Sequence, residues 1–208
     1  MIRGIVNKVA KTRERLFTVF FMFAVTLVFI AAVSALNLAT ADIVARNANL
    51  FMQRAVMEAA DMDPSGSPED VIARYEAAVR EETFPDGSSY LCVTDPAIGA
   101  NAYVFVRTGA GLWGQITAVV GVDETIKTLT GVTFVKHNET PGLGARIDEA
   151  WFKEQFEGKR GPLRCVPEGT RSASLNEFDG ITGATITSRA VEKILNDTFA
   201  EARRKAAP

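Results

Sequence analysis

Three threonines and a carboxylate fall within the run Asp179-Gly180-Ile181-Thr182-Gly183-Ala184-Thr185-Ile186-Thr187. A helix-periodic segment follows at once, with Val191, Ile194, Leu195, Thr198 and Phe199 recurring at three- and four-residue steps. The threonines therefore sit at a helix N-terminus, where free backbone N–H groups and the positive end of the dipole favour a phosphate. Gly183 can take backbone angles closed to other residues and lets a ligand approach closely. Thr and Ser are also what helix starts prefer, so the local chemistry suits an ordinary N-cap as well as a phosphate ester.

A second block, Glu139-Thr140-Pro141-Gly142-Leu143-Gly144, lies upstream, and Gly111-Leu112-Trp113 precedes it. Asp-Gly-Ile-Thr-Gly-Ala-Thr resembles the flavinylation motif of the FMN-binding domain family, whose last threonine carries FMN through a phosphodiester made by a dedicated flavin transferase. That position here is Thr185. The Glu139–Gly144 block resembles the family's other signature, and the two motifs stand in the expected order. Gly111-Leu112-Trp113 resembles a stretch of the C subunit of sodium-pumping NADH:quinone oxidoreductase (Nqr); the related G subunit of the Rnf complex is the other close match. The chain's length is nearer the Rnf type, the Gly-Leu-Trp nearer the Nqr type.

The resemblance implies covalent FMN on Thr185, framed by Thr182, Gly183 and Ala184. It also implies a wall of the isoalloxazine slot built from Glu139, Thr140, Gly142, Leu143 and Gly144. Trp113 either stacks beside the ring or fills the core. Asp179 belongs to the pattern the transferase recognises. The flavin carries the electron chemistry, so no side chain is assigned as catalytic. His137, the only histidine, stands two residues before Glu139. An acid–base pair is conceivable there, but a strand-end histidine on a polar edge reads better as structural or solvated. No ligand cluster marks a metal site, and neither a dinucleotide-binding nor a phosphate-loop glycine pattern is present.

The chain has 208 residues, with 23 Lys and Arg against 25 Asp and Glu, a balance that does not support nucleic-acid binding. Leu16 to Ala41 holds no charged residue, and about 20 apolar residues suffice to cross a bilayer as a helix. Arg3, Lys8, Lys11, Arg13 and Arg15 precede this span, which predicts an N-terminus inside and a main domain outside the cytoplasmic membrane. Val33-Ser34-Ala35 offers the competing reading of a cleaved signal, although the apolar run is long for one. The cysteines, Cys92 and Cys165, either pair in an oxidising compartment or remain thiols.

Beyond the span, residues 38–60 read as a helix leaving the membrane, broken at Asp63–Pro68. Ser67 with Pro68 and Asp70 predicts an N-cap and a helix to about Glu82. Phe84–Ser89 reads as a turn. Strands are predicted at Tyr90–Thr94, Tyr103–Arg107, Gly114–Val122 and Leu129–Lys136, the last pair as a hairpin. A short helix over Asp148–Phe156, a strand at Leu163–Val166 and a polar loop over Arg171–Gly180 precede the C-terminal helix. The fold class is α+β: an N-terminal transmembrane helix, then an antiparallel-sheet FMN-binding domain with flanking helices. The expected divisions are a basic cytoplasmic segment 1–15, a transmembrane helix 16–37, a helical membrane-proximal segment 38–82 and the FMN-binding domain 83–208.

The resemblance thus implies a single-pass subunit of an Rnf- or Nqr-type ion-translocating complex, relaying electrons between neighbouring membrane subunits rather than acting as an enzyme by itself. The alternative is an autonomous membrane-anchored FMN module, a shuttle or sensor with no pump around it.

Overall fold

A computed structural model of the chain describes residues 2–84, 87–94 and 101–206, with side chains for those between 13 and 204. It forms two compact units, residues 1–48 and 49–208. The first is made by most of helix α1 (Ile2–Ala59). No glycine or proline falls between Gly4 and Pro64, so nothing in the sequence interrupts this helix. Phe17, Phe20, Phe29, Val33 and Leu36 are all exposed on it. Within Arg13–Ala59 the helix is long and apolar enough to cross a membrane.

Helix α1 stops in a Schellman arrangement. Asp61 takes a positive φ of 61°, the N–H of Met62 donates to Met57 O at 2.9 Å, and that of Asp61 donates to Glu58 O at 3.1 Å. Helix α2 (Pro68–Ala78) then begins as its sequence predicts, with the Ser67 hydroxyl accepting the Asp70 N–H and proline in the first turn.

Helix α2 ends at Ala78, not near Glu82. Val79–Thr83 is strand β1, paired antiparallel with β2 (Ser89–Thr94). Arg80, Glu81 and Glu82 have ordinary helix propensity, but the tight connection at Phe84–Ser88 returns the chain beside itself and strand pairing overrides it. Pro85 and Asp86 of that turn lie outside the described residues. Strands β3 (Asn101–Ala110), β4 (Gln115–Asp123) and β5 (Leu129–Lys136) complete an antiparallel sheet in the order β1-β2-β3-β4-β5.

Both faces of this sheet are covered. Ile116, Ala118, Val120 and Val122 of β4 share the larger core with Phe105, Phe134, Ile147 and the aromatic group Phe152, Phe156 and Phe178. Helix α4 (Thr185–Ala206) closes that face with Val191, Ile194, Leu195 and Phe199, the periodic residues read in the sequence. Each such side chain, fully buried, contributes about 1.5–3 kcal/mol. The opposite face, through Val93, Val104 and Val119, packs on Ala55, Val56 and Ala59 at the end of α1 and on Ala78 of α2. Gly121 admits that contact, because a Cβ there would lie 1.9 Å from the Ala59 carbonyl oxygen.

A 3₁₀ turn (Gly144–Asp148) and helix α3 (Ala150–Glu154) follow β5. Strand β6 (Arg164–Val166) lies where a strand is predicted. The expected polar loop 171–180 is corrected at its end: Glu177–Asp179 forms β7, parallel to β6. Its single inward residue, Phe178, is buried between Phe152 and Phe156, and one apolar position between two acids leaves no periodic signal. Among the described residues no disulfide joins Cys92, on β2, to Cys165, on β6.

Candidate functional site

The turn Gly180–Ala184 carries the chain from β7 into α4. Its shape follows from two local features. Gly183 has φ +79°, and a Cβ there would also press on Leu143 Cδ2 at 3.0 Å. Behind it the Ser188 hydroxyl accepts the Ile181 N–H at 2.9 Å and donates to Ala184 O at 3.0 Å, fastening the turn to the helix. The carbonyl of Ala184 accepts the N–H of Ser188 at 3.0 Å, so Ala184 is the capping residue and Thr185 the first residue inside the helix. The N-cap explanation of Thr185 therefore fails.

Burial separates the three threonines. Thr187 is fully buried, whereas Thr182 and Thr185 are exposed. Both line a cavity of about 330 Å³ with Cys165, Glu168, Ser188 and Arg189. Burial pushes the Cys165 thiol pKa up, so this cysteine stays protonated at neutral pH.

The Glu139–Gly144 block meets the same helix. Leu143, 44 % exposed, reaches over Gly183, so the two motifs touch. The turn is closed by N–H groups of Leu143 and Ala145 donating to Thr140 O at 3.1 and 3.0 Å. Thr140 and Gly142 are exposed, and Gly142 has φ +73° with open space where a side chain would project. Glu139 is only 5 % exposed and points inward. One of its carboxylate oxygens accepts the N–H groups of Leu112 and Trp113 at 2.9 and 3.2 Å; the other accepts the Thr187 hydroxyl. Gly144 is buried against that pair.

Glu139 thus ties all three sequence blocks together. Trp113 does not fill the core: it is 67 % exposed, on a turn whose N–H groups the carboxylate holds. With Leu112, Leu143 and Ile186 it gives the region four exposed large apolar side chains, the kind of surface a flat aromatic ligand covers.

His137 is structural. Its Nδ1 accepts the Glu139 N–H at 3.2 Å, which leaves Nε2 to donate to Asp148 at 2.8 Å. Asp179 is occupied too, its carboxylate accepting the N–H groups of Gly169 and Arg171 while Gln155 pairs with its backbone N–H and carbonyl. Among the described residues no cluster of His, Cys, Asp or Glu suits a metal ion. A larger cavity, about 480 Å³, lies between Trp151, Lys159, Arg171 and Phe178; of the motif residues it takes in only Asp179.

Glu168, which no motif marks, holds the turn from outside. It accepts the Thr182 N–H at 2.6 Å and pairs with Arg146 at 3.0 Å. Arg146 first, then Thr182, draw its pKa from 4.5 down to about 2. A lowered carboxylate pKa adds stability that is complete above pH 4.5 and disappears as pH falls through about 2. Thermal unfolding of the protein and of Glu168→Gln should therefore differ by a constant amount above pH 4.5 and converge towards pH 2; a gap that persists at pH 2 would contradict this role.

Comparison with known proteins follows the same residues. The FMN-binding domain family matches residues 111–200, which contain Trp113, Glu139–Gly144 and Thr185. The chain is 36% identical over 103 residues to the C subunit of the Na(+)-translocating NADH-quinone reductase of Yersinia pestis, covering 46% of this chain and 39% of that protein. It is 40% identical over 94 residues to the G subunit of the Na(+)-translocating ferredoxin:NAD(+) oxidoreductase complex of Acetobacterium woodii, 44% of each chain. The chain therefore spans about two fifths of the length of these relatives. Among solved structures, the C subunit of the Na(+)-translocating NADH-quinone reductase of Parabacteroides distasonis superposes with a TM-score of 0.62 at 23% identity, over 74% of this chain and 90% of that one. This last likeness establishes the fold.

Proposed function

We propose that this chain carries FMN as a phosphodiester on Thr185 and serves as a membrane-anchored electron carrier in an ion-translocating oxidoreductase complex; residues 111–200 match the FMN-binding domain family, and the chain is similar to the C subunit of Nqr and the G subunit of Rnf. The observation that carries the reading is the setting of Thr185. It is an exposed hydroxyl on the first turn of a long helix, in a cavity, with Leu143 packed on Gly183 two residues before it and Glu139 joining the same helix to the Leu112–Trp113 turn.

The residues present fit the group. Free N–H groups of the first turn of α4 face a phosphate favourably. Arg189, one turn along the same helix, adds a cation to the cavity wall. Trp113, Leu112, Leu143 and Ile186 offer apolar surface for the isoalloxazine, and Gly183 keeps the turn thin enough for Leu143 to reach it. Attachment makes a bond from Thr185 Oγ to phosphorus and breaks the bond from phosphorus to the leaving group of an activated flavin phosphate, with the hydroxyl proton lost; a flavin transferase supplies this step. Bound FMN provides the one- and two-electron chemistry, while the chain orients it and tunes its surroundings.

The basic flank before the uncharged span of α1 supports a cytoplasmic N-terminus and an extracytoplasmic main domain. Partners are neighbouring membrane subunits that hold the donor and acceptor cofactors. The test is gentle membrane extraction of the tagged chain from its own host. A flavin-fluorescent band that survives denaturation, pulled down with many-helix redox subunits, is expected, and a reporter fused after Pro208 should be active only outside the cytoplasm. Recovery of the fluorescent chain alone would favour the autonomous module.

A further inference from the structure

We propose that Glu139 is a positioning residue of the flavin site whose buried charge also sets the flavin's reduction potential; this rests on the reading that the ring lies against Trp113 and Leu143. The carboxylate does not face the exposed apolar surface but lies beneath it. It meets only donors: the N–H groups of Leu112 and Trp113 and the hydroxyl of Thr187. Gly111 and Gly144 wrap it, since a Cβ at either would come within 2.5 or 2.7 Å of a carboxylate oxygen. Among the described residues no Lys, Arg or His forms an ion pair with it.

Removing the acceptor would release the Leu112–Trp113 turn, because two half-buried hydrogen bonds that converge on one carboxylate oxygen would be lost. The hydrogen bonds compensate the desolvation of the carboxylate but do not cancel its charge, and away from water that charge is weakly screened. A flavin gaining electrons becomes more negative, so a nearby uncompensated carboxylate opposes reduction and lowers the midpoint. A role in shape alone would leave the midpoint where it is once the shape is kept.

Glu139→Gln separates the effects. Its carbonyl oxygen can still accept both N–H groups and its amide can donate to the Thr187 oxygen, a reversal of that one bond, so the turn keeps its acceptor while the charge is lost. The full chain, co-produced with a flavin transferase and solubilised in detergent, is examined by spectroelectrochemistry and by amide hydrogen exchange. Glu139→Gln should keep covalent flavin and the protection of the Leu112 and Trp113 amides, with a midpoint more positive than wild type. Glu139→Ala should lose that protection at least tenfold. An unchanged midpoint in a flavinylated Glu139→Gln protein, or failure of that variant to fold, overturns the charge role; unchanged protection in Glu139→Ala overturns the positioning role. Wild-type protein without covalent flavin would instead sink the flavin reading, and the exchange data on Glu139→Ala would still decide the positioning role.

Discussion

Thr185→Val is expected to abolish covalent flavin completely while leaving the domain folded. Valine keeps the shape and removes the one hydroxyl that would take the phosphate. Thr185 caps nothing, since Ala184 occupies the capping position, and it is exposed. The change in stability should stay within about 0.5 kcal/mol, as for other surface substitutions. In-gel flavin fluorescence after co-production with a flavin transferase is the readout. Thr182→Val is the suitable control: it also sits exposed on the cavity wall, yet should retain flavin, at lower yield if the transferase reads that residue. Thr187→Val is unsuitable as a neutral control, because it deprives the buried Glu139 carboxylate of a donor and should lower stability by about 1–3 kcal/mol.

The largest effect on stability is expected from Gly121→Ala. Its new methyl would lie 1.9 Å from the carbonyl oxygen of Ala59, and 2.3 Å from Thr130 Oγ1, which itself donates to that carbonyl. A backbone oxygen cannot swing aside as a flexible side chain can. Either the end of α1 lifts from the sheet, exposing Ala55, Val56 and Ala59, or β4 distorts. Overpacking of this kind costs about 3 kcal/mol. That should lower the melting temperature by roughly 6–12 °C for a chain of this size. Thermal unfolding of the detergent-solubilised protein measures it. A shift under about 2 °C would mean that the glycine notch does not hold the helix end.

The parts of the fold with long periodic patterns are legible in the residues alone. The uncharged span, the Ser67 cap, strands β4 and β5 and the apolar face of α4 all stand where the residues point. Val79–Thr83 is not legible, because edge pairing through a tight connection outweighs the helix propensity of its glutamates. Strand β7 hides behind one inward phenylalanine. At the site, the motifs name the three blocks that the fold brings together, but not the orientation of their side chains. Glu139 reads from its block as a wall residue, yet its carboxylate points inward and joins all three blocks. Glu168 and Arg146 carry no local signal at all, since only the folded turn brings them to Thr182.

Peptide mass spectrometry of the wild-type chain extracted from membranes would detect the proposed bond between Thr185 and FMN itself. Fragmentation of the peptide spanning residues 172–189 should show FMN less one water on Thr185, with Thr182 and Thr187 unmodified. The same mass located on Thr182 or Thr187, or an unmodified peptide from yellow protein whose colour is lost on denaturation, would contradict the assignment.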